Sequence, residues 1–422
     1  MLDKRIPLQI DQAIKKIMDY SKEGESEIVS IEDCDERYLA ENIIATHDVP
    51  LFTRSGYDGY ALRSTDTVNA SSNQPIELKV LEVLGAGMVP TMEIGEFETT
   101  RIMTGAMLPK GCDAVIMLEA VKEIEKNGEK YIVIKREMRV GANISYQGEE
   151  VKEGEVVLTK GTKINPGVKA VLATFGYATV PVTKKPTVGI LATGTELLEV
   201  NELLKDGKIR NSNSHMISSQ IKRAGAEPIY FGKLPDEIDT CLEAVVSVLK
   251  KVDLLITTGG VSVGDFDYMP EVYNRMGAEI LFNKVKMRPG SVTTVAEYNG
   301  KLLFGLSGNP SACFVGFELF VRPIIRKWHL NKNPHLKKIS AFLDTDIEKA
   351  DAFTRFVRSK LLFKEQGLFV APSGIDKSNI VTSLVNTDSL LLLPGTEKGF
   401  KKGETVEVLL LEDQEGSLST WN

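Results

Sequence analysis

The sequence predicts a multidomain chain of α/β and β type. It comprises a doubly wound α/β domain, two N-terminal lobes of which one is β-rich, and a small C-terminal β-barrel domain. Three observations predict this. Strand-like and helix-like segments alternate from Pro186 to about Leu330. Short β-rich runs broken by Gly, Pro and Asn fill Val49 to Pro186. The β pattern returns from Ile339 onward.

The 422 residues suit two to four domains at roughly 100–200 residues each. With 42% hydrophobic and 26% charged residues, each domain can build a core of ordinary size. The net charge of −7 weighs against nucleic acid as a partner and requires any anion site to be made by local charge. Cys34, Cys112, Cys241 and Cys313 are scattered, so neither a disulfide framework nor a structural zinc is expected. "MLDKRIPLQIDQAIKKIMDY" carries charge throughout, and no run is apolar for the ~20 residues of a membrane span. A cytoplasmic protein without membrane contact is expected.

Taken in order, "LQIDQAIKKIMDY" puts Ile10, Ala13, Ile14, Ile17 and Met18 on one helical stripe. "IVSIEDCDERYLAENIIA" reads as a short strand and then a helix. "IELKVLEVL", "YIVIKR", "GEVVL" and "ATVPV" read as strands, with one helix at "NPGVKAVLATFG". The length of this region suggests two lobes. Beyond Pro186, the strands "TVGILATG", "EPIYFGKL", "DLLITTGG" and "KLLFGLSGNP" alternate with helices. These are "SHMISSQIKRAGA", "DEIDTCLEAVVSVLKKV" and the long apolar "SACFVGFELFVRPIIRKW". That rhythm implies a parallel sheet covered on both faces. "NKNPHLKK" is a linker to the five strand-like runs of the last domain.

Ligands of such sheets bind outside the carboxyl ends of the strands. Three segments lie there. "TTGGVSVGDFDY" offers Gly259, Gly260, Ser262 and Gly264 to a phosphate but ends in Asp265 and Asp267. "LSGNPSACF" places Ser307, Gly308, Asn309 and Ser311 around a helix start with Pro310 in its first turn, where N–H groups can meet an anion. "ATGTEL" places Glu196 just after a strand, either as a functional acid or as the first-turn acid of a helix. "NKVKMRPGSV" alternates Lys284, Lys286 and Arg288, either as a solvated face or as a cationic wall. In the β-rich region, Asp58 of "SGYDGYA" and Thr104 of "RIMTGAMLPKGCDAVIMLE" lie in Gly-rich turns that also suit plain Asx-turn chemistry. No GxxxxGK[ST] loop, nucleophile elbow or histidine cluster is present, and "GAGMVP" lacks the third glycine of a dinucleotide fingerprint.

Together, "RSGYDGYA", "RIMTGAMLPKGCDAVIMLE", "GANISYQGEE", "LATGTEL", "TTGGVSVGDFDY", "MRPG" and "GNPSA" resemble, in order and over nearly the whole chain, the molybdopterin molybdenumtransferases, the bacterial MoeA and gephyrin E-domain family. The resemblance implies two lobes in residues 1–183, with a β-rich lobe inserted at about 49–140. It also implies a molybdopterin-binding α/β domain at 184–330 and a barrel domain at 336–422. It implies a homodimer that joins molybdate to molybdopterin-adenylate with Mg2+ and releases AMP. Partners would be the upstream adenylyltransferase and downstream molybdoenzymes. A non-catalytic scaffold of gephyrin type is the alternative.

The family's acids map to Asp58, Glu196, Asp236 and Asp267 as candidates for catalysis, and to Glu150 with Thr104 at the substrate. Lys284 and Arg288 map to its basic residues. Asp267, with Asp265 second, is assigned to magnesium. The chain departs from the family's "DNSAMDGYA" with "TRSGYDGYA", from "KPGKP" at Arg288–Val292, and from "GNPVS" with Ala312 at the serine position.

Overall fold

The computed structural model describes residues 6–234, 237–260, 268–348, 351–396, 398–412, 416 and 418–420. They form two compact units. One holds the chain up to Glu41, Lys160–Asn165 and everything from Thr179; the other holds Asn42–Thr159 and Pro166–Ala178.

The first unit is built on a six-stranded sheet. Its order is Glu227–Leu234, Thr187–Thr193, Leu254–Thr258, Lys301–Leu306, Thr294–Tyr298, Glu279–Phe282. The first four strands are parallel. Their apolar runs bury both faces, as a sheet covered by helices requires. Ile190, Ile256 and Phe304 face a core shared with Ile217 and Ile221 of helix Asn213–Ala224 and with Ile10, Ile14 and Ile17 of the N-terminal helix. Their neighbours Leu191, Leu255 and Leu303 face Val245, Val248 and Tyr273. The second strand in sequence lies on one side of Thr187–Thr193 and the third on the other. The switch point therefore falls between Thr187–Thr193 and Leu254–Thr258, where a ligand crevice is expected.

Two features depart from the sequence reading. The sheet is not wholly parallel. Asn299 and Gly300, both at positive φ, turn the chain between Thr294–Tyr298 and Lys301–Leu306, and this Asn-Gly hairpin adds antiparallel strands at one edge. The helix expected after strand Ser26–Ser30 is absent. A single turn, Ile31–Asp33, is capped at Cys34; Glu36 then takes φ 62, and Tyr38 and Leu39 are drawn into bridges with Lys163 and Val182.

The long C-terminal helix of the α/β region is continuous but changes pitch. It runs Pro310–Gly316, then a π turn Phe317–Val321, then Arg322–Trp328. Pro323 has no N–H for the Leu319 carbonyl, so the α ladder breaks there.

In the C-terminal region, Thr354–Lys364, Gly367–Pro372, Lys337–Leu343, Thr405–Leu410 and Ser389–Leu393 pair in that cycle and close into a five-stranded barrel. Val357, Leu391 and Val408 fill it. Outward-facing Phe356, Leu390, Leu392 and Leu409 join the α/β core instead. A short strand, Met287–Arg288, pairs with Thr354 and Arg355. The barrel is thus seated on the α/β sheet by both apolar contact and backbone pairing.

The second unit carries its own six-stranded sheet, in the order Ala114–Met117, Gly59–Leu62, Glu98–Ile102, Ile76–Leu84, Glu129–Ile134, Val121–Lys126. Helix Pro166–Thr174 lies in this unit, at the "NPGVKAVLATFG" segment. No helix among the described residues is long and apolar enough to cross a membrane.

His329 and His335 are buried, and burial pushes each pKa down to about 4. The His329 ring nitrogens lie 2.6 Å from Thr183 Oγ1 and 3.0 Å from the Gly225 carbonyl, an arrangement that suits a neutral ring. Because the folded pKa lies below the unfolded value near 6.5, only the unfolded chain gains protons between them. Stability is therefore full above pH 6.5 and falls as pH drops toward 4, by about 1.4 kcal/mol per unit for each histidine. Urea denaturation at pH 7.0 and pH 5.0 should show this loss, and His329→Gln should reduce the difference between the two.

Candidate functional site

The three glycine-ended strands converge at the switch point. Gly259 (φ 91) and Gly260 (φ 64) turn the chain so close to Thr193 that a Cβ would lie 2.6 Å from the Thr193 carbonyl and 2.8 Å from its hydroxyl, respectively. No residue but glycine fits either position. Gly259 also donates its N–H to Leu306 O at 3.0 Å, and a Cβ on Gly308 would stand 3.5 Å from Gly259 Cα. The sequence therefore selects glycine here for close approach of backbone to backbone.

Asn213, which the sequence reading did not single out, ties this junction together. Its amide donates to Thr258 Oγ1 at 2.9 Å and to Gly308 O at 2.8 Å. Asn211, Asn213, Thr258, Gly308, Asn309 and Asn379 line a pocket of about 190 Å³ here. Asn213 opens the helix Asn213–Ala224, and a lone Asn before an amphipathic stripe reads simply as a cap.

The "LSGNPSACF" segment is placed at the junction, but its helix start offers fewer free N–H groups than the sequence suggests. The Asn309 N–H goes to Ser307 Oγ at 3.2 Å, Pro310 has none, and the Ser311 N–H goes to Ser378 O at 3.0 Å. Ser311 is fully buried, and its hydroxyl donates to Ile380 O at 2.6 Å. Its role is to hold a barrel loop against the α/β domain. Glu196 is exposed in a turn and precedes the short strand Leu197–Leu198, so it is not a helix first-turn acid.

A second pocket of about 350 Å³ lies where the barrel meets the α/β domain. Val285 and Met287 are buried while Lys284, Lys286 and Arg288 face outward, which sets the basic side chains in alternation. Arg288 reaches this pocket. Its guanidinium donates to Ser291 Oγ at 2.8 Å, lies 3.7 Å from Asp351 and stands over the Phe353 ring at 5.1 Å. Arg355, Asp376, Lys377, Ser378 and Asn379 complete the wall. Asn379 lines both pockets, so one barrel loop separates them. Sequence reasoning passed over this loop because "SGIDKSN" has the composition of any turn between strands. The stronger signal was Arg355 and Arg358, two arginines flanking Phe356 and Val357 in a strand-like run.

In the other unit, Asp58 and Thr104 meet. Asp58 Oδ1 accepts from both the N–H and the hydroxyl of Thr104 at 2.7 Å, and these bonds, with Arg101 nearby, hold its carboxyl below the usual range. The pair is exposed. Glu150 lies in a turn organised by Asp48, which accepts from Gln147 Nε2 at 2.8 Å and from Glu153 N at 2.9 Å. Among the described residues no hydrogen bond joins Glu150 to Asp58. Asp236, Ser262, Gly264, Asp265 and Asp267 lie outside the described residues. Among the described residues no three His, Cys, Asp or Glu side chains gather as a metal site.

The geometry defines a multidomain α/β protein with two adjoining pockets, both rich in groups that can meet an anion. Its sequence matches family models along its length: the MoeA N-terminal region (domains I and II) at residues 8–176, a probable molybdopterin binding domain at 189–327, and the MoeA C-terminal region (domain IV) at 340–411. It is 53% identical over 422 residues to the molybdopterin molybdenumtransferase of Bacillus subtilis strain 168, spanning 100% of this chain and 98% of that protein. It is 47% identical over 412 residues to the enzyme of the same name from Staphylococcus aureus strain COL, spanning 98% and 97%. A crystal structure of the molybdopterin biosynthesis MoeA protein from Pyrococcus horikoshii OT3 superposes with a TM-score of 0.82 at 32% identity, over 96% of this chain and 100% of that one. The chain belongs to the molybdopterin molybdenumtransferase family of enzymes.

Asn213→Ala should cost about 1–3 kcal/mol in urea denaturation, since it takes the amide donor from the buried Thr258 hydroxyl. A change within ±0.5 kcal/mol would show that the junction closes without this amide.

Proposed function

We propose that this enzyme inserts molybdenum into molybdopterin, taking molybdopterin-adenylate and molybdate and releasing AMP. The observation that carries the reading is the pair of pockets that share one loop. Two anionic substrates must sit side by side, and unit charges 4 Å apart repel by about 4 kcal/mol at an effective dielectric near 20. Arg288, Arg355 and Lys377 bring three cations to the larger pocket against the carboxylates of Asp351 and Asp376. Molybdate, a small tetrahedral dianion, suits that pocket, with Ser378 as a neutral donor. The strand-end pocket, lined by Arg210, Thr258, Gly308 and Asn309, suits the phosphates and ring substituents of the adenylylated pterin. Lys284 adds charge on the same outward row as Arg288.

In this reading the reaction exchanges partners between anions. The dithiolene sulfurs replace oxygens on molybdenum, and those oxygens leave as water once protonated. Water attacks the phosphoanhydride, the P–O bond breaks, and AMP departs from the pterin phosphate. Guanidinium and lysine charges hold both anions through the step. Asp267, with Asp265 second, would hold magnesium, which would supply charge neutralisation at the phosphates; one or two carboxylates plus phosphate oxygens suffice for that ion. Asp58, kept ionised by Thr104, and Glu196 are assigned to positioning water or pterin, with Asp236 and Glu150 as further acids of the site. We further propose a cytoplasmic homodimer in which the lobes of one protomer complete the cleft of the other. The upstream adenylyltransferase would deliver the substrate, and downstream molybdoenzymes would receive the product.

Purified protein given molybdopterin-adenylate, molybdate and Mg2+ should release AMP and yield active cofactor. Arg355→Ala should raise the KM for molybdate by about tenfold or more, the size of one lost charge-assisted hydrogen bond. Asp267→Ala should abolish magnesium-dependent AMP release without unfolding the chain. Pterin binding without AMP release in the wild type would instead indicate a scaffold. Mixing inactive Asp58→Ala and Asp267→Ala protomers should restore up to about one quarter of wild-type turnover, because half the random pairs are mixed and each mixed pair keeps one intact cleft. No recovery on mixing would remove the shared-cleft arrangement.

A further inference from the structure

The loop that separates the two pockets has an unusual carbonyl arrangement. Arg358 stands behind it, 2% exposed, on strand Thr354–Lys364. Its guanidinium donates to Ile375 O at 3.1 Å, to Lys377 O at 3.2 Å and to Ser383 Oγ at 3.1 Å. It also lies 3.4 Å from Asp376 Oδ1, whose other oxygen pairs with Arg355. From the α/β side, Ser311 takes the next carbonyls, with its N–H on Ser378 O and its hydroxyl on Ile380 O. Four carbonyl oxygens of residues 375–380 are therefore committed away from the larger pocket.

That matters because a carbonyl oxygen repels an anion. A polar turn that ran freely beside the pocket would expose these oxygens to it, as loops that bind cations do. With them withdrawn, the loop lines the pocket with Lys377 and Ser378, whose hydroxyl also accepts from Asn309 Nδ2 at 3.4 Å. The Asp376 carboxylate, the one anion of the loop, is offset by two arginines.

Resting on the reading of this pocket as the molybdate site, we infer that Arg358 is a positioning residue that gives the pocket its preference for anions by holding the carbonyls of Ile375 and Lys377 out of it. Arg358 touches no substrate; it acts through the loop. The guanidinium reaches Ser383 Oγ from Nε and both carbonyls from Nη2, a spread that a lysine ammonium, with its three donors on one atom, does not reproduce.

The test compares wild type, Arg355→Ala, Arg358→Lys and Ser383→Ala. Arg358→Lys keeps the charge and removes the fork. Ser383→Ala removes one partner of the guanidinium and guards against a variant that does not fold. Molybdate binding is read by calorimetry, and the KM for molybdate and for molybdopterin-adenylate by AMP release. Arg358→Lys should weaken molybdate by about tenfold, with kcat and the KM for the adenylylated pterin changed by less than about twofold. Ser383→Ala should act in the same direction and more weakly. A purely structural role would lower the melting temperature and move both KM values together, which would overturn the inference. So would unchanged molybdate binding in Arg358→Lys while Arg355→Ala weakens it. If wild type binds molybdate and Arg355→Ala leaves that binding unaltered, the pocket assignment fails first and this inference falls with it.

Discussion

The contact on which both pockets depend is the pair of hydrogen bonds from Ser311 to the carbonyls of Ser378 and Ile380. Ser311 sits in the first turn of a helix that the α/β sheet positions, and the carbonyls belong to a loop that the barrel positions. Joining them makes a wall out of a turn. Ser311 is buried, so an unmade bond would leave its N–H or hydroxyl unpaired away from water, at a cost of about 1–3 kcal/mol. The apolar seam behind the loop, in which Phe356, Leu390 and Leu392 share a core with the α/β helices, keeps the two domains in register while those bonds form.

Charge then follows from placement. A chain with net charge −7 has no general attraction for anions, so the cations must be gathered locally. Arg288 is brought in by a two-residue strand paired to the barrel, and Arg355 by the barrel strand it pairs with. Each arrives from a different domain, and neither has a sequence neighbour that announces the partner. The glycine junction at the switch point has the opposite character. There the side chains are removed so that three strand ends can approach one another, and Asn213 supplies the hydrogen bonds that the missing side chains cannot.

This division explains what was legible in the sequence. The four parallel strands and their helices were legible because each writes its period locally, and so were the glycine loops, because only glycine satisfies their backbone. The barrel was legible as five apolar runs. The hairpin at Asn299 and Gly300 was written as Asn-Gly but was masked by the alternating rhythm around it. The missing helix near Tyr38 was a case of tertiary pairing overriding local pattern, with Lys163 and Val182 as the partners that won. The wall formed by Asp376 to Asn379 could not be read at all, because a turn of Ser, Gly, Asp, Lys and Asn becomes a site only when Ser311 and Arg358 take its carbonyls. The resemblance to one family supplied the acids Asp58, Glu150 and Glu196 by position, whereas spacing alone left Asp58 open to an Asx-turn role and Glu196 to that of a helix first-turn acid.

The proposed reaction requires a tetrahedral oxyanion in the pocket bounded by Arg288, Arg355 and Ser378, beside the strand-end pocket and across one shared loop. Anomalous diffraction from crystals soaked in molybdate tests it most directly. A molybdenum peak is expected within contact distance of the Arg355 guanidinium and the Ser378 hydroxyl, retained in wild type and lost in Arg355→Ala. A peak confined to the strand-end glycines, or one that persists unchanged in Arg355→Ala, would contradict it.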